Sequence, residues 1–303
     1  MNILLLGSNG QVGWALQRSL APLGPLVACD RQTANLEDLE NVRSVVRENR
    51  PDIIVNSAAY TAVDKAESEP SMAERINTEA VALLAEETKR LDACLVHYST
   101  DYVFDGMKSS AYTESDTPNP LSVYGSTKWQ GEVAIRQSGC KYLIFRTSWV
   151  YAIRGQNFIK TMLRLATDRD ELSVVADQFG APTHADLIAD VTALVLHHFQ
   201  SSKEFNQPNL YGTYNLVAAG ETSWNDYARF VFELAEQYGV VLRVKPTEVK
   251  QIPSEAYPVP AKRPNNSRLS FKKLERAFNL RLPDWRHHVR RTVKELIEVG
   301  EVK

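Results

Sequence analysis

Ile3-Leu4-Leu5-Leu6-Gly7-Ser8-Asn9-Gly10-Gln11-Val12-Gly13 runs from four apolar residues through three glycines into a pattern that stays helical to about residue 21. The apolar run fits a short buried strand. Glycines at this spacing, GxxGxxG rather than GxGxxG, let the backbone turn tightly and approach a pyrophosphate. The N-terminus of the following helix offers unpaired N–H groups to the negative charge. A glycine triplet alone is equally a closely packed strand-to-helix turn, but strand, glycines and helix in this order point to a dinucleotide site. The second strand ends at Cys29-Asp30, near where an acidic residue meets the adenosine ribose, which argues for NAD. Arg31 beside it suits the 2′-phosphate of NADP instead, so the choice between NADH and NADPH stays open.

Beyond the turn, strand-like runs at 26–29, 53–55, 95–98 and 142–145 alternate with longer amphipathic stretches. In 71–91, Met72, Ile76, Ala80, Leu83 and Leu84 recur at spacings of three or four, predicting one crossover helix. This βαβ order predicts an α/β fold, a doubly wound Rossmann-type parallel sheet with a smaller C-terminal substrate-binding lobe. The first four strands are mostly or wholly apolar, as expected for strands covered on both faces. After about residue 150, helices are predicted at 157–167, 185–199, 223–238 and from Pro283-Asp284-Trp285 to about 299, with a strand at 212–217. Five prolines within 246–264 predict a functional loop without regular ladders. Residues 1–150 are expected to form the dinucleotide-binding domain, with about 185–220 returning to it. About 151–184 and 221–303 then make the substrate lobe.

A formal net charge of -2 with scattered basic residues leaves no electrostatic footprint for nucleic acid. No apolar run reaches the roughly 20 residues of a membrane helix, and the first residues do not form a signal peptide, so a cytoplasmic location is expected. Cys29, Cys94 and Cys140 have no metal-type spacing and read as buried reduced thiols. A monomer and a homodimer both stay open.

Tyr124-Gly125-Ser126-Thr127-Lys128 places a phenol and an ammonium four residues apart, hence on one helix face. A cation beside a tyrosine favours the phenolate and moves the group toward acid–base work near neutral pH. An exposed helix with a solvated lysine is the plain alternative. Upstream, Val96-His97-Tyr98-Ser99-Thr100-Asp101-Tyr102-Val103-Phe104 ends a strand in hydroxyls, delivering them to the carboxyl edge of the sheet, where doubly wound folds bind ligands. Thr100 can there meet the substrate oxygen that Tyr124 protonates. Asp101 can cap a turn, touch the substrate or assist proton delivery.

With Asn56-Ser57-Ala58-Ala59-Tyr60-Thr61, Arg146-Thr147-Ser148-Trp149-Val150-Tyr151, Asp177-Gln178-Phe179-Gly180-Ala181-Pro182-Thr183 and Arg263-Pro264-Asn265-Asn266-Ser267, these segments resemble the extended short-chain dehydrogenases acting on nucleotide sugars. Within that group they resemble the dTDP-4-dehydrorhamnose reductases, over essentially the whole chain. The resemblance implies that Gly7, Gly10, Gln11 and Val12 surround the pyrophosphate, that Asn35 and Leu36 lie near the adenine, and that Ala59, Tyr60 and Thr61 sit beside the cofactor. Asn35 stands where relatives often carry Asp. Tyr124 would be the proton donor, and Lys128 would hold the nicotinamide ribose while tuning Tyr124. Thr100, Asp101 and Trp149 would meet the sugar, and Arg263 of the proline-rich loop would reach the diphosphate or close over the sugar. The implied reaction reduces C4 of dTDP-4-dehydro-6-deoxy-L-mannose with NADPH or NADH, giving dTDP-L-rhamnose for cell-surface polysaccharide.

Some relatives are described as magnesium-dependent through carboxylates, one on the first helix. Ala15 stands there in this chain, with Asp186 and Glu295 at the other matching places, so no such metal site is expected. Two other readings stay in play. A related 4-epimerase or other 4-reductase uses the same turn and Tyr-Lys pair, whereas a dehydratase is disfavoured because Tyr102 holds the place of its glutamate. A non-catalytic regulatory subunit has no physical need for Thr100, Tyr124 and Lys128 together.

Overall fold

In the computed structural model, which describes residues 1–201 and 210–300, the expected strands join one parallel sheet. Its strands are β1 (Ile3–Leu6), β2 (Leu26–Cys29), β3 (Ile53–Asn56), β4 (Cys94–Thr100), β5 (Lys141–Thr147) and β6 (Gly212–Asn215), in the order β6-β5-β4-β3-β1-β2. The order reverses between β1 and β3, and a crevice opens at the carboxyl ends of the strands at such a switch point. This is the doubly wound fold that the sequence predicts.

Alternation along each strand divides the core into two layers. Ile3, Leu5, Ile53, Val55, Val96, Leu143 and Phe145 pack on one face with Leu16, Ile188 and Leu163, which belong to the helices Gln11–Leu20, Ala185–Ser201 and Phe158–Asp168. Leu4, Leu6, Ile54, Leu95 and Ile144 pack on the other with Val42, Val46, Val81 and Leu84, from the helices Leu39–Asn49 and Ala80–Arg90. β2 departs from the expectation of two covered faces. It is the sheet edge, and Val27 is 43% exposed there.

Two other expectations need correction. The stretch 71–91 is not one continuous α-helix: it runs through Pro70–Glu74, a π-helical turn at Arg75–Glu79, and Ala80–Arg90. Such turns occur where a helix inserts an extra residue to re-aim a side chain. Here the buried Asn77 is the one re-aimed, holding both the N–H (2.9 Å) and the carbonyl (3.1 Å) of Tyr60. The proline-rich segment also contains a ladder. Lys250–Ile252 pairs in parallel with Ser173–Val175, because Pro246 and Pro253 flank those three residues and leave their N–H groups intact.

Register sets the functional edge. β3 ends with Asn56 opposite His97, but β4 and β5 continue together until Thr100 faces Thr147. Ser99 and Thr100 therefore project past β3 into the crevice. Below them the helix Val123–Ser138 begins at Ser122, whose hydroxyl caps the N–H of Gly125 at 3.2 Å. That helix is anchored to β5 by buried Glu132, which accepts from Arg146 Nε (2.9 Å) and Nη2 (2.8 Å) and from Ser99 (2.6 Å), with Arg136 as a further partner. Among the described residues no helix is long and apolar enough to cross a membrane.

Burial raises the Glu132 carboxyl, but the hydrogen bond and charge of Arg146, with Arg136 and Ser99, bring it below its ordinary value. Glu132→Ala should therefore destabilise the fold by roughly 3–5 kcal/mol, because Arg146 is left buried without its counter-charge. The contribution is complete above the unfolded glutamate value of about 4.3 and declines as the pH falls through the lower folded value. Denaturant melts of both proteins at pH 7 and pH 4 check this, the gap between them narrowing at the lower pH.

Candidate active site

The crevice is a cleft of about 1420 Å³. Gly7, Gly10, Gln11, Val12, Asp30, Arg31, Asn35, Leu36, Ala59, Tyr60 and Thr61 line it, together with Thr100, Asp101, Tyr124, Lys128 and Trp149. These are the residues picked from the sequence with one exception, Arg263.

At the glycine turn, Gly7 has φ +80°, and a Cβ there would lie 2.7 Å from the backbone nitrogen of Ala58. A Cβ on Gly13 would meet the Gly7 carbonyl oxygen at 2.0 Å. Both positions require glycine. Gly10 caps the first helix without any side-chain hydrogen bond, so the helix N–H groups keep their capacity for an anion. Gln11 Oε1 and Thr147 Oγ1, both on residues of the cleft wall, are buried without partners. An open helix end, a glycine cradle and unsatisfied polar atoms fit a dinucleotide with its pyrophosphate at the turn.

Asp30 works first inside the protein. Its carboxylate accepts from the Thr33 hydroxyl (2.7 Å), from the N–H groups of Gln32 and Thr33, and from Asn9 of the glycine turn (3.0 Å). The Thr33 hydrogen bonds lead in holding its titration below the ordinary range. Arg31 is exposed and pairs with Glu37.

Tyr124 lies in the first turn of its helix, its phenol close to the Thr100 hydroxyl. Burial pushes the phenol well above its ordinary value against that contact, and Asp101 and Tyr102 raise it further. Tyr102 meets the Tyr124 ring edge-on, 5.6 Å between centroids. Asp101 is buried beside Thr100, whose hydroxyl donates to it at 3.1 Å, and burial pushes its carboxyl up to about 6 despite Ser267 and Thr100.

Lys128 lines the cleft with Tyr124 and has strand partners that spacing does not show. Its Nζ donates to the Tyr98 carbonyl at 2.7 Å and lies 3.1 Å from His97 Nε2. A lysine this deeply buried needs an acceptor, and the Tyr98 carbonyl near the carboxyl end of β4 supplies one. Burial pushes it down to about 8, against the pull of Glu132.

Trp149 occupies the left-handed region at φ +47°, a strained setting for a bulky side chain. Its ring stacks on Trp224 at 3.6 Å and 15°, and a Cβ at Gly180 would come 2.7 Å from it. Neither Trp224 nor the need for glycine at 180 was legible from spacing. Asn77 and His97 were missed as well. Their signal was only a polar residue inside an otherwise apolar pattern.

Arg263 is not in the cleft wall. It donates to Asp64 at 2.7 Å with the Tyr102 hydroxyl close by, clamping the proline-rich segment to the short helix Val63–Ala66. Ala15, at the first of the three positions of the expected metal pattern, offers no oxygen ligand. Ala15 is buried, and Asp186 lies within 4.0 Å of Arg18 and 3.7 Å of Arg291.

Fold and cleft together define a doubly wound protein with a dinucleotide cradle and a hydroxyl-lined acid–base site. The RmlD substrate binding domain family matches residues 1–298, and the chain belongs to that family. It is 51% identical to the dTDP-4-dehydrorhamnose reductase of Escherichia coli K12 over 98% of both chains, and 43% identical to that of Sinorhizobium fredii over 99% of both. The crystal structure of the Bacillus anthracis dTDP-4-dehydrorhamnose reductase in complex with NADP superposes with a TM-score of 0.85 at 34% identity, over 97% of this chain and all of that one.

Gly180→Ala should drive the Trp149 ring off Trp224 and cost about 1–3 kcal/mol through overpacking. Tryptophan emission and a thermal melt read both effects. An unchanged emission spectrum would mean that Gly180 does not seat the ring.

Proposed function

We propose that this chain reduces the C4 carbonyl of dTDP-4-dehydro-6-deoxy-L-mannose to dTDP-L-rhamnose, using NADPH or NADH. The observation that carries the reading is the Thr100–Tyr124 hydroxyl pair at the carboxyl edge of the sheet, in one cleft with the glycine turn. The likeness to named reductases along nearly the whole chain supports the substrate.

Gly7, Gly10, Gln11 and Val12 hold the pyrophosphate, Asp30 and Arg31 face the adenosine ribose, Asn35 and Leu36 the adenine, and Ala59, Tyr60 and Thr61 the middle of the cofactor. The bound cofactor supplies the hydride. Because burial keeps the Tyr124 phenol protonated, Tyr124 enters the reaction as a proton donor, and Thr100 orients the substrate oxygen toward it. The proton passes from Tyr124 Oη to the C4 oxygen, leaving a phenolate that is reprotonated from solvent. Lys128, as an ammonium, stabilises that phenolate and holds the nicotinamide ribose. Asp101 and Trp149 contact the sugar, while Arg263 acts through the Asp64–Tyr102 clamp. NADP in the Bacillus anthracis relative supports a role for Arg31 at a 2′-phosphate, taken over from Glu37.

Residues 1–150 with about 185–220 serve the cofactor in this reading, and about 151–184 with 221–303 the sugar nucleotide. The three buried free cysteines suit a cytoplasmic enzyme feeding cell-surface polysaccharide synthesis.

Absorbance at 340 nm with NADPH and separately NADH tests this. The wild type should oxidise at least one cofactor only when dTDP-4-dehydro-6-deoxy-L-mannose is present. Tyr124→Phe should retain cofactor binding and lose about 10²–10⁴-fold in kcat. Sugar-dependent binding without net oxidation would move a 4-epimerase ahead.

A further inference from the structure

His97 lies within β4, fully buried behind Lys128, and no step above uses it. Each of its ring nitrogens has a partner: Asn56 Nδ2 is 3.3 Å from Nδ1, and Lys128 Nζ is 3.1 Å from Nε2. The Asn56 amide cannot turn over without loss, because its Oδ1 accepts from the N–H of Ala58 at 3.1 Å. The group facing His97 is therefore the NH₂, a donor. Burial first, then the neighbouring lysine charge, holds the ring well below its ordinary value, so it is neutral. A neutral imidazole accepts at one nitrogen and donates at the other. An ammonium on Nε2 and an amide NH₂ on Nδ1 both ask it to accept, and it can satisfy one.

We propose that His97 is a positioning residue that loosens the proton on Lys128, because Asn56 claims the only acceptor nitrogen of the ring and turns its Nε2–H toward the lysine. An Nε2–H facing Nζ is satisfied by the amine, which still donates to the Tyr98 carbonyl, and is opposed by the ammonium. The chain Ala58–Asn56–His97–Lys128 thus ties the proton affinity of Lys128 to a backbone N–H of the cleft wall near the glycine turn.

The groups facing Lys128 are few. From β4 they are His97 and the Tyr98 carbonyl, with Asn56 of β3 behind the ring. On its own helix, Glu132 favours the ammonium but is occupied by Arg146, Arg136 and Ser99. Tyr124 is the neighbour one turn earlier and stays protonated. The contested ring is the contact in this set that an uncharged substitution can switch.

The consequence for pH rests on Lys128 acting as an ammonium in the reduction proposed above. In the wild type, kcat/KM then falls as the pH rises through the Lys128 value. Asn56→Asp offers an acceptor to Nδ1–H and frees Nε2 to accept from the ammonium. Asn56→Ala removes the competing donor without adding charge. Both should move the alkaline limb upward by roughly one pH unit. In a His97→Phe background, Asn56→Ala should move it no further.

A readout independent of turnover is ¹⁵N NMR of the histidine rings in the cofactor-free protein, with His97→Phe identifying the signal among the six histidines. The wild-type ring should be the Nε2–H tautomer, switching to Nδ1–H in Asn56→Asp. An Nδ1–H ring in the wild type overturns the inference, as does an alkaline limb that moves in neither Asn56 variant. A wild type with the expected tautomer but no reductase activity leaves the hydrogen-bond assignment standing and removes the reduction reading instead.

Discussion

The paired overhang of β4 and β5 beyond β3 is the constraint on which the site depends. Parallel pairing carries these two strands on to Thr100 and Thr147 after β3 has stopped at Asn56. The overhang lifts Ser99, Thr100 and Asp101 to the cleft and leaves carbonyls such as that of Tyr98 facing the helix Val123–Ser138. Lys128 is then held against strand groups instead of solvent, with Tyr124 one turn earlier at the cleft. Burial governs both. It raises the phenol and lowers the lysine, so a phenol that keeps its proton stands one helical turn from an ammonium that holds its own less firmly than usual. The Glu132–Arg146 pair fixes the distance between helix and strand on which this contrast depends.

Around that floor, unusual backbone geometry shapes the walls. Gly7 and Gly13 let the first turn fold onto itself, Gly180 makes room for an indole, and Trp149 is held in the left-handed region by packing on Trp224. The π-helical turn at Arg75–Glu79 has a comparable effect, aiming Asn77 at the backbone of Tyr60. In each case a local departure from regular structure is compensated by tight contacts nearby.

Much of this was legible in the sequence because it is periodic or local. Apolar runs of four residues gave the strands, three-and-four spacing gave the helices, and Tyr124 with Lys128 followed from the helical repeat. What escaped depended on contacts distant in sequence. Spacing puts Lys128 on the face of Tyr124, but only the sheet shows that its ammonium turns to His97 and the Tyr98 carbonyl. Edge position, not composition, exposes Val27. Arg263 has the chemistry for a phosphate, yet Asp64 lies nearly 200 residues earlier and no local pattern announces their pairing.

The central chemical proposal is that hydride reaches C4 of the hexose in this cleft. The most direct measurement is NMR of the product formed from 4-dehydro sugar nucleotide and nicotinamide cofactor deuterated at the transferable position. The account predicts deuterium at C4 of the rhamnosyl ring, with a 6-deoxy-hexose as the product. Product lacking deuterium at C4, or sugar returned as a C4 epimer with the cofactor label intact, would contradict it.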